Sequence, residues 1–282
     1  MMSKGALNLS IRRWVSLFLI VLTITLFRVT LQPFMPSSNI HQLPPSVIVQ
    51  SGLIPIGFML FGLLTFGLLA IVFVLIQEGL SGKRMRTGLM FGFLFGMMWA
   101  LYLLEPAPHV EGLPFFEVLV YPLADGITIL SMGLLLGRFI GNDSKGNEKV
   151  RFSSNYATLL AVPVLFIAGR MLSYNVFHIY SSYAARQFDT IVWAAATELW
   201  IGVMYLLLRP GISDKSPLLK AIYFAVVIYG IDYFLFNLFM PLVFNYKIWP
   251  MGALLSYADL LVRASMDILS VVAGVYICEK IK

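Results

Sequence analysis

The chain has 282 residues and a formal net charge of +6, with 59% hydrophobic residues and only 12% charged. A soluble domain carries about a quarter charged residues, so this composition, with a mean hydropathy of +0.85, excludes an ordinary water-soluble fold and points to lipid as the solvent. The surplus of Lys and Arg then reports membrane orientation, and no nucleic-acid partner is expected.

Several apolar runs exceed the roughly 18–20 residues needed to cross a bilayer. They predict an all-α, polytopic membrane protein of eight transmembrane helices, at 14–31, 52–76, 88–104, 115–137, 156–172, 190–208, 219–240 and 255–278. Gly and Pro punctuate the connections: "LPPS" after the first helix, "EGLSGK" after the second, "EPAPH" after the third and "GND" after the fourth. The opening "MMSKGALNLSIRR" resembles the charged start of a signal peptide. No A-x-A-like cleavage site follows the apolar run, and Arg28 interrupts its end, so the run is read as a retained helix.

The N-terminus, the even-numbered connections and the C-terminus together hold fifteen Lys and Arg, whereas the opposite connections hold only Arg186 and Lys247. Positive charge stays on the cytoplasmic side. A multi-pass protein of the cell membrane is expected, with both termini cytoplasmic.

Three matches relate the two halves. "SLFLIVLTITLFR", ending at Arg28, resembles "TLLAVPVLFIAGR", ending at Arg170, at an offset of 142; "EVLVYPLAD" at 117–125 resembles "DLLVRASMD" at 259–267 at the same offset. "EGLSGK" at 78–83 resembles "PGISDK" at 210–215 at an offset of 132, the change falling in outer connections, which absorb insertions. A tandem duplication follows, with a first four-helix repeat at 1–142 and a second at 143–282 forming one membrane domain. Four helices per copy make the repeat parallel, with its pseudo-twofold along the membrane normal. Gly88, Gly92 and Gly96, and then Gly133, Gly137 and Gly141, recur every four residues. That spacing lets helices approach closely, within the chain or in a homodimer.

Charges inside a bilayer are expensive and need partners or a wet cavity. Seven are placed between the midplane and the outer surface: Arg28, Asp125, Arg170, Glu198, Asp232, Arg263 and Asp267. Asp259, Arg263 and Asp267 are spaced i, i+4, i+8, so Arg263 can pair with either acid of its own helix. Asp125 has Tyr121 and Pro122 in place of such a partner and needs one from another helix, Arg28 or Arg170 being the natural candidates. The seven either serve only as ion pairs that fix helix register or form a substrate-binding site.

The single cysteine, Cys278, can form no internal disulfide. His41, His109 and His178 fall in outer connections, so spacing builds no metal site. There is no phosphate-binding loop, no G-x-S-x-G and no H-E-x-x-H. No catalytic residue and no cofactor is indicated, which weighs against an enzyme. The function expected is a transporter or permease with its charged site in the outer half of the membrane, between the repeats. The alternatives are a non-catalytic regulatory or protective protein that binds lipid or a membrane partner, and a lipid-modifying enzyme of the outer leaflet. Expected partners are the bilayer, a small-molecule or ion ligand, and another membrane protein.

Overall fold

A computed structural model of the protein describes residues 10–35, 44–106, 114–143, 156–179, 181–247 and 256–281. Its long helices are α1 (Ile11–Leu31), α2 (Ile54–Ile76), α3 (Arg84–Leu103), α4 (Phe115–Phe139), α5 (Tyr156–Asn175), α6 (Gln187–Leu208), α7 (Pro217–Val243) and α8 (Tyr257–Lys280). Seven of these are long and apolar enough to cross a membrane. The exception is α5, whose apolar part, Leu159–Asn175, is shorter.

Lipid as solvent shows in the outward faces. Phe18, Leu60, Phe93, Leu160, Leu261 and Leu269 are all more than half exposed, a distribution that would be a liability in water. The interior is filled by rings and large aliphatics, Phe73, Phe91, Phe95, Tyr205, Phe224 and Tyr229 being almost wholly enclosed.

The most extensive helix pairing is α3 against α4, with α5 against α8 next. Glycine explains the first. A Cβ on Gly92 would stand 2.9 Å from the Ile129 carbonyl oxygen, and one on Gly96 would stand 2.8 Å from that of Gly126. The glycine stripes expected from the sequence are therefore spent on packing within the chain, where bare backbones provide the contact that apolar area cannot in lipid.

α2 also packs on α7, and α3 on α6. Short 3₁₀ turns end α2 (Gln77–Gly79) and α6 (Arg209–Ile212), and these touch one another. There a Cβ on Gly79 would lie 2.6 Å from the Gly211 Cα, and one on Gly211 would lie 2.8 Å from the Ile76 carbonyl oxygen. The two turns thus meet largely backbone against backbone.

This end of the bundle carries Arg13, which donates to Asn142 at 2.8 Å, and the start of α3, where the Arg84 N–H donates to Asp143 at 2.9 Å. Glu279, one residue past the predicted end of the last span, is buried here. It accepts from the Tyr205 hydroxyl at 2.8 Å and meets Arg209 at 2.8 Å and Lys220 at 3.5 Å. At the opposite end, residues 44–46 pair with 243–245, and Lys247 bridges to Ser256.

α7 departs from the regular helix expected over 219–240. Residues Tyr223–Ile228 form a π-helical turn between two α-helical segments. Such turns shift the register of whatever follows and gather at functional sites. Here Tyr229, Asp232 and Tyr233 follow it, all buried.

Candidate functional site

In the first half of the chain, Arg28 near the end of α1 faces α4. Its Nε donates to the Asp125 carboxylate and its Nη1 to the Gln32 side-chain oxygen at 2.9 Å. Asp125 thus finds on α1 the partner its own helix lacks. Both side chains of the pair stay 16% exposed, because a cleft runs past them.

That cleft lies between α1, α2, α3, α4 and α7, with an empty volume of about 590 Å³ counted out through its open mouth. Its walls are aromatic: Phe58, Phe61 and Phe66 from α2, Trp99 from α3, and Phe236 and Phe239 from α7. The polar groups gather to one side as Arg28, Gln32 and Asp125, with Thr25 and Thr65 further in. An apolar chamber with a few convergent polar groups is the usual form of a small-molecule site.

The second half repeats the pair and closes the space around it. Arg170 on α5 meets Asp267 on α8 at 2.8 Å. Arg28 and Asp125 stand 97 residues apart, and so do Arg170 and Asp267. Here the arginine also donates to the hydroxyls of Tyr174 at 3.1 Å and Tyr233 at 3.2 Å. Its guanidinium lies over the rings of Phe166 at 5.1 Å and Trp193 at 5.4 Å. The Tyr233 hydroxyl in turn donates to Asp267. Where the first pair has empty space, the second has rings.

Glu105, just beyond α3, reaches Arg170 at 4.0 Å and Arg263 at 3.9 Å. Arg263 donates to the Asn237 side-chain oxygen at 2.9 Å. By spacing Arg263 can pair with either acid of its own helix, but the described contacts to Asp267 run elsewhere. Asp267 is held by Arg170 instead, with Arg263 only in its field, and Glu105 and Asn237, neither on α8, take Arg263. Tyr246, beyond the end of α7, lies in the field of the same two groups. Burial pushes its hydroxyl up to about 12, with Arg263 pulling the other way.

Asp232 accepts the Trp99 indole N–H at 2.6 Å. It is therefore the buried partner of a residue that lines the cleft. Glu198 on α6 is fully buried, and neither carboxyl oxygen has a hydrogen-bond partner among the described residues. The charged groups acting on it are Asp267 and Arg170.

The seven residues singled out by sequence thus fall into one cleft-side pair (Arg28, Asp125), one closed cluster (Arg170, Arg263, Asp267) with Glu198 in its field, and Asp232 behind Trp99. Sequence reasoning missed Glu105, Gln32, Trp99 and Tyr233. Only Glu105 carried a usable signal, an acid at the very edge of an apolar run. His41 and His109 lie outside the described residues, while His178 stands exposed in the turn after α5 with φ 52°. Among the described residues no group of three His, Cys, Asp or Glu is placed to hold a metal ion.

No protein-family model matches the chain, and no curated protein or solved structure proved similar to it. The functional reading therefore rests on the residues.

Proposed function

We propose that this chain is a transporter or permease-like protein of the cell membrane that binds an amphiphilic solute in the Arg28–Asp125 cleft. The observation that carries this reading is the cleft itself, an aromatic chamber ending on a partly exposed ion pair. The rings suit an apolar body. Arg28, Asp125 and Gln32 together suit a zwitterionic head, whose two charges can each replace one partner of the pair.

The architecture in this reading is eight spans in two tandem repeats, 1–142 and 143–282, with the termini cytoplasmic. Four relationships support the duplication. The ion pair recurs at an offset of 142; α2 meets α7 as α3 meets α6; Gly79 and Gly211, at an offset of 132, both sit in the turns where α2 and α6 end and touch; and Thr65 and Thr197, at that same offset, are both buried in matching helices. The full α5 has 20 residues, about 30 Å at 1.5 Å per residue, which is a bilayer's hydrocarbon thickness. The seven candidate residues then lie in the outer half of the membrane, with the ligand between the repeats.

The test uses the purified protein with a spin-labelled lysophosphatidylcholine as probe. Saturable binding in nanodiscs and uptake into reconstituted vesicles are expected, both lost in Val29→Trp, which fills the cleft, and weakened in Asp125→Asn. Binding that is equal in all three proteins would sink the cleft assignment. Saturable, cleft-dependent binding without uptake would favour a lipid-binding regulatory protein instead.

A further inference from the structure

Glu198 stands apart from every other acid in the bundle. It is 0% exposed, and both of its oxygens lack a donor among the described residues. A carboxylate taken from water without any replacement bond is among the costliest groups a protein can bury. In a membrane interior such a residue marks an ion or proton pathway by default.

Among the described residues the one cation acting on it is Arg170, which it shares with Asp267. Arg170, on α5, is committed to Asp267 at 2.8 Å, to the hydroxyls of Tyr174 and Tyr233, and to two aromatic faces. Asp267, on α8, is a second acid in the same field, and its Oδ1 also lacks a hydrogen-bond partner. The remaining titratable neighbours are the hydroxyls of Tyr102 on α3 and Tyr229 on α7. Two carboxyls thus compete for one arginine. A divalent ion would want three acidic or imidazole ligands, and that grouping is absent among the described residues.

We infer that Glu198 is a proton-binding site, exchanging a proton with water during the working cycle and coupled to the occupancy of the cleft. The step is a simple one. A carboxylate oxygen of Glu198 forms an O–H bond with an incoming proton, which leaves Arg170 wholly to Asp267. Breaking that bond returns the proton to water and sets a second negative charge pulling on Arg170.

The coupling route is made of contacts already described, together with the ring of Tyr102. That ring packs on Phe236, a cleft residue, with centroids 4.7 Å apart. Tyr102 stands one helical turn from Trp99, the cleft residue bonded to Asp232. A charge change at Glu198 therefore acts on two walls of the cleft through α3. Coupling rests on the cleft reading given above, whereas proton binding at Glu198 does not.

Infrared difference spectroscopy of the protein in nanodiscs, stepped in pH and exchanged into deuterium oxide, tests the site directly. A protonated-carboxyl carbonyl band is expected in the unmodified protein and is lost in Glu198→Gln. Glu198→Leu provides a second variant that removes the buried acid altogether, and it should lose the same band. Binding of the spin-labelled lysophosphatidylcholine is expected to vary with pH in the unmodified protein and to lose that variation in both variants. A carboxyl band undiminished in Glu198→Gln and Glu198→Leu overturns the proton site. PH-dependent probe binding that survives in both variants overturns the coupling. Absence of probe binding at every pH, with the band lost as expected, overturns the cleft reading and leaves the proton site standing.

Discussion

The indole N–H of Trp99 donates to the Asp232 carboxylate at 2.6 Å, and this single bond fastens a wall of the cleft to the stretch of α7 that follows the π-helical turn. Trp99→Phe keeps an aromatic ring and removes the donor, leaving the Asp232 acceptor without its donor in a dry interior. A loss of about 1–3 kcal/mol is expected, read as reduced thermal stability in detergent micelles. Asp232→Leu placed on top of it should recover part of the loss, since the stranded acceptor is then gone.

The two repeated ion pairs should behave differently. Arg170 and Asp267 are almost wholly enclosed, so Arg170→Met leaves an uncompensated buried acid and costs about 3–5 kcal/mol. The double variant Arg170→Met with Asp267→Leu should regain much of that. Arg28→Met, at the partly exposed pair, should cost about 1 kcal/mol or less. Chemical unfolding in mixed micelles checks the order, and equal losses would show that the two pairs share one environment.

Glycine substitutions separate contact from mere presence. Gly96→Ala pushes a methyl against the Gly126 carbonyl oxygen, 2.8 Å from where the Cβ must go, and should cost about 1–3 kcal/mol through overpacking. Gly67→Ala places its Cβ 4.0 Å from a Val21 methyl, an ordinary contact. It should be neutral, or stabilising by up to about 1 kcal/mol through helix propensity. Thermal unfolding of both variants side by side is the measurement.

Tyr246 gives an alkaline signature outside the spans. Its hydroxyl is held up to about 12 by burial, against the usual value of about 10. Stability from this group is complete below pH 10 and is lost as pH rises towards 12, because the unfolded chain ionises first. Ultraviolet titration should show one late phenolate transition that Tyr246→Phe removes, together with a shallower fall in stability over that range.

Much of the bundle was legible because span length and apolar runs are fixed by the bilayer. The eight runs read from sequence all became helices, and Arg28 proved to be the partner that Asp125 lacked. Other features were hidden for physical reasons. Glu105 follows the last turn of α3 and looks like a loop acid, yet its side chain reaches arginines on α5 and α8. Arg263 has an acid one helical turn away on each side, yet it also reaches Glu105 beyond α3 and Asn237 on α7, which the local spacing does not announce. The π turn at Tyr223–Ile228 has no Gly or Pro to announce it, yet it directly precedes the buried Tyr229, Asp232, Tyr233 and Asn237 of α7. Glu279 lies one residue past an apolar run, where hydropathy stops reporting.

The contact between Gly79 and Gly211 also has a mechanical meaning. Two bare backbones touching at one end of the bundle form a fulcrum, and α2 is the lever arm that leaves it. At 1.5 Å per residue, Phe58 stands roughly 30 Å along that arm. A tilt of about 5° at the fulcrum would carry Phe58 through about 3 Å, enough to widen or pinch the cleft while the glycines themselves hardly move. The leverage is greatest at the end of the bundle farthest from the fulcrum.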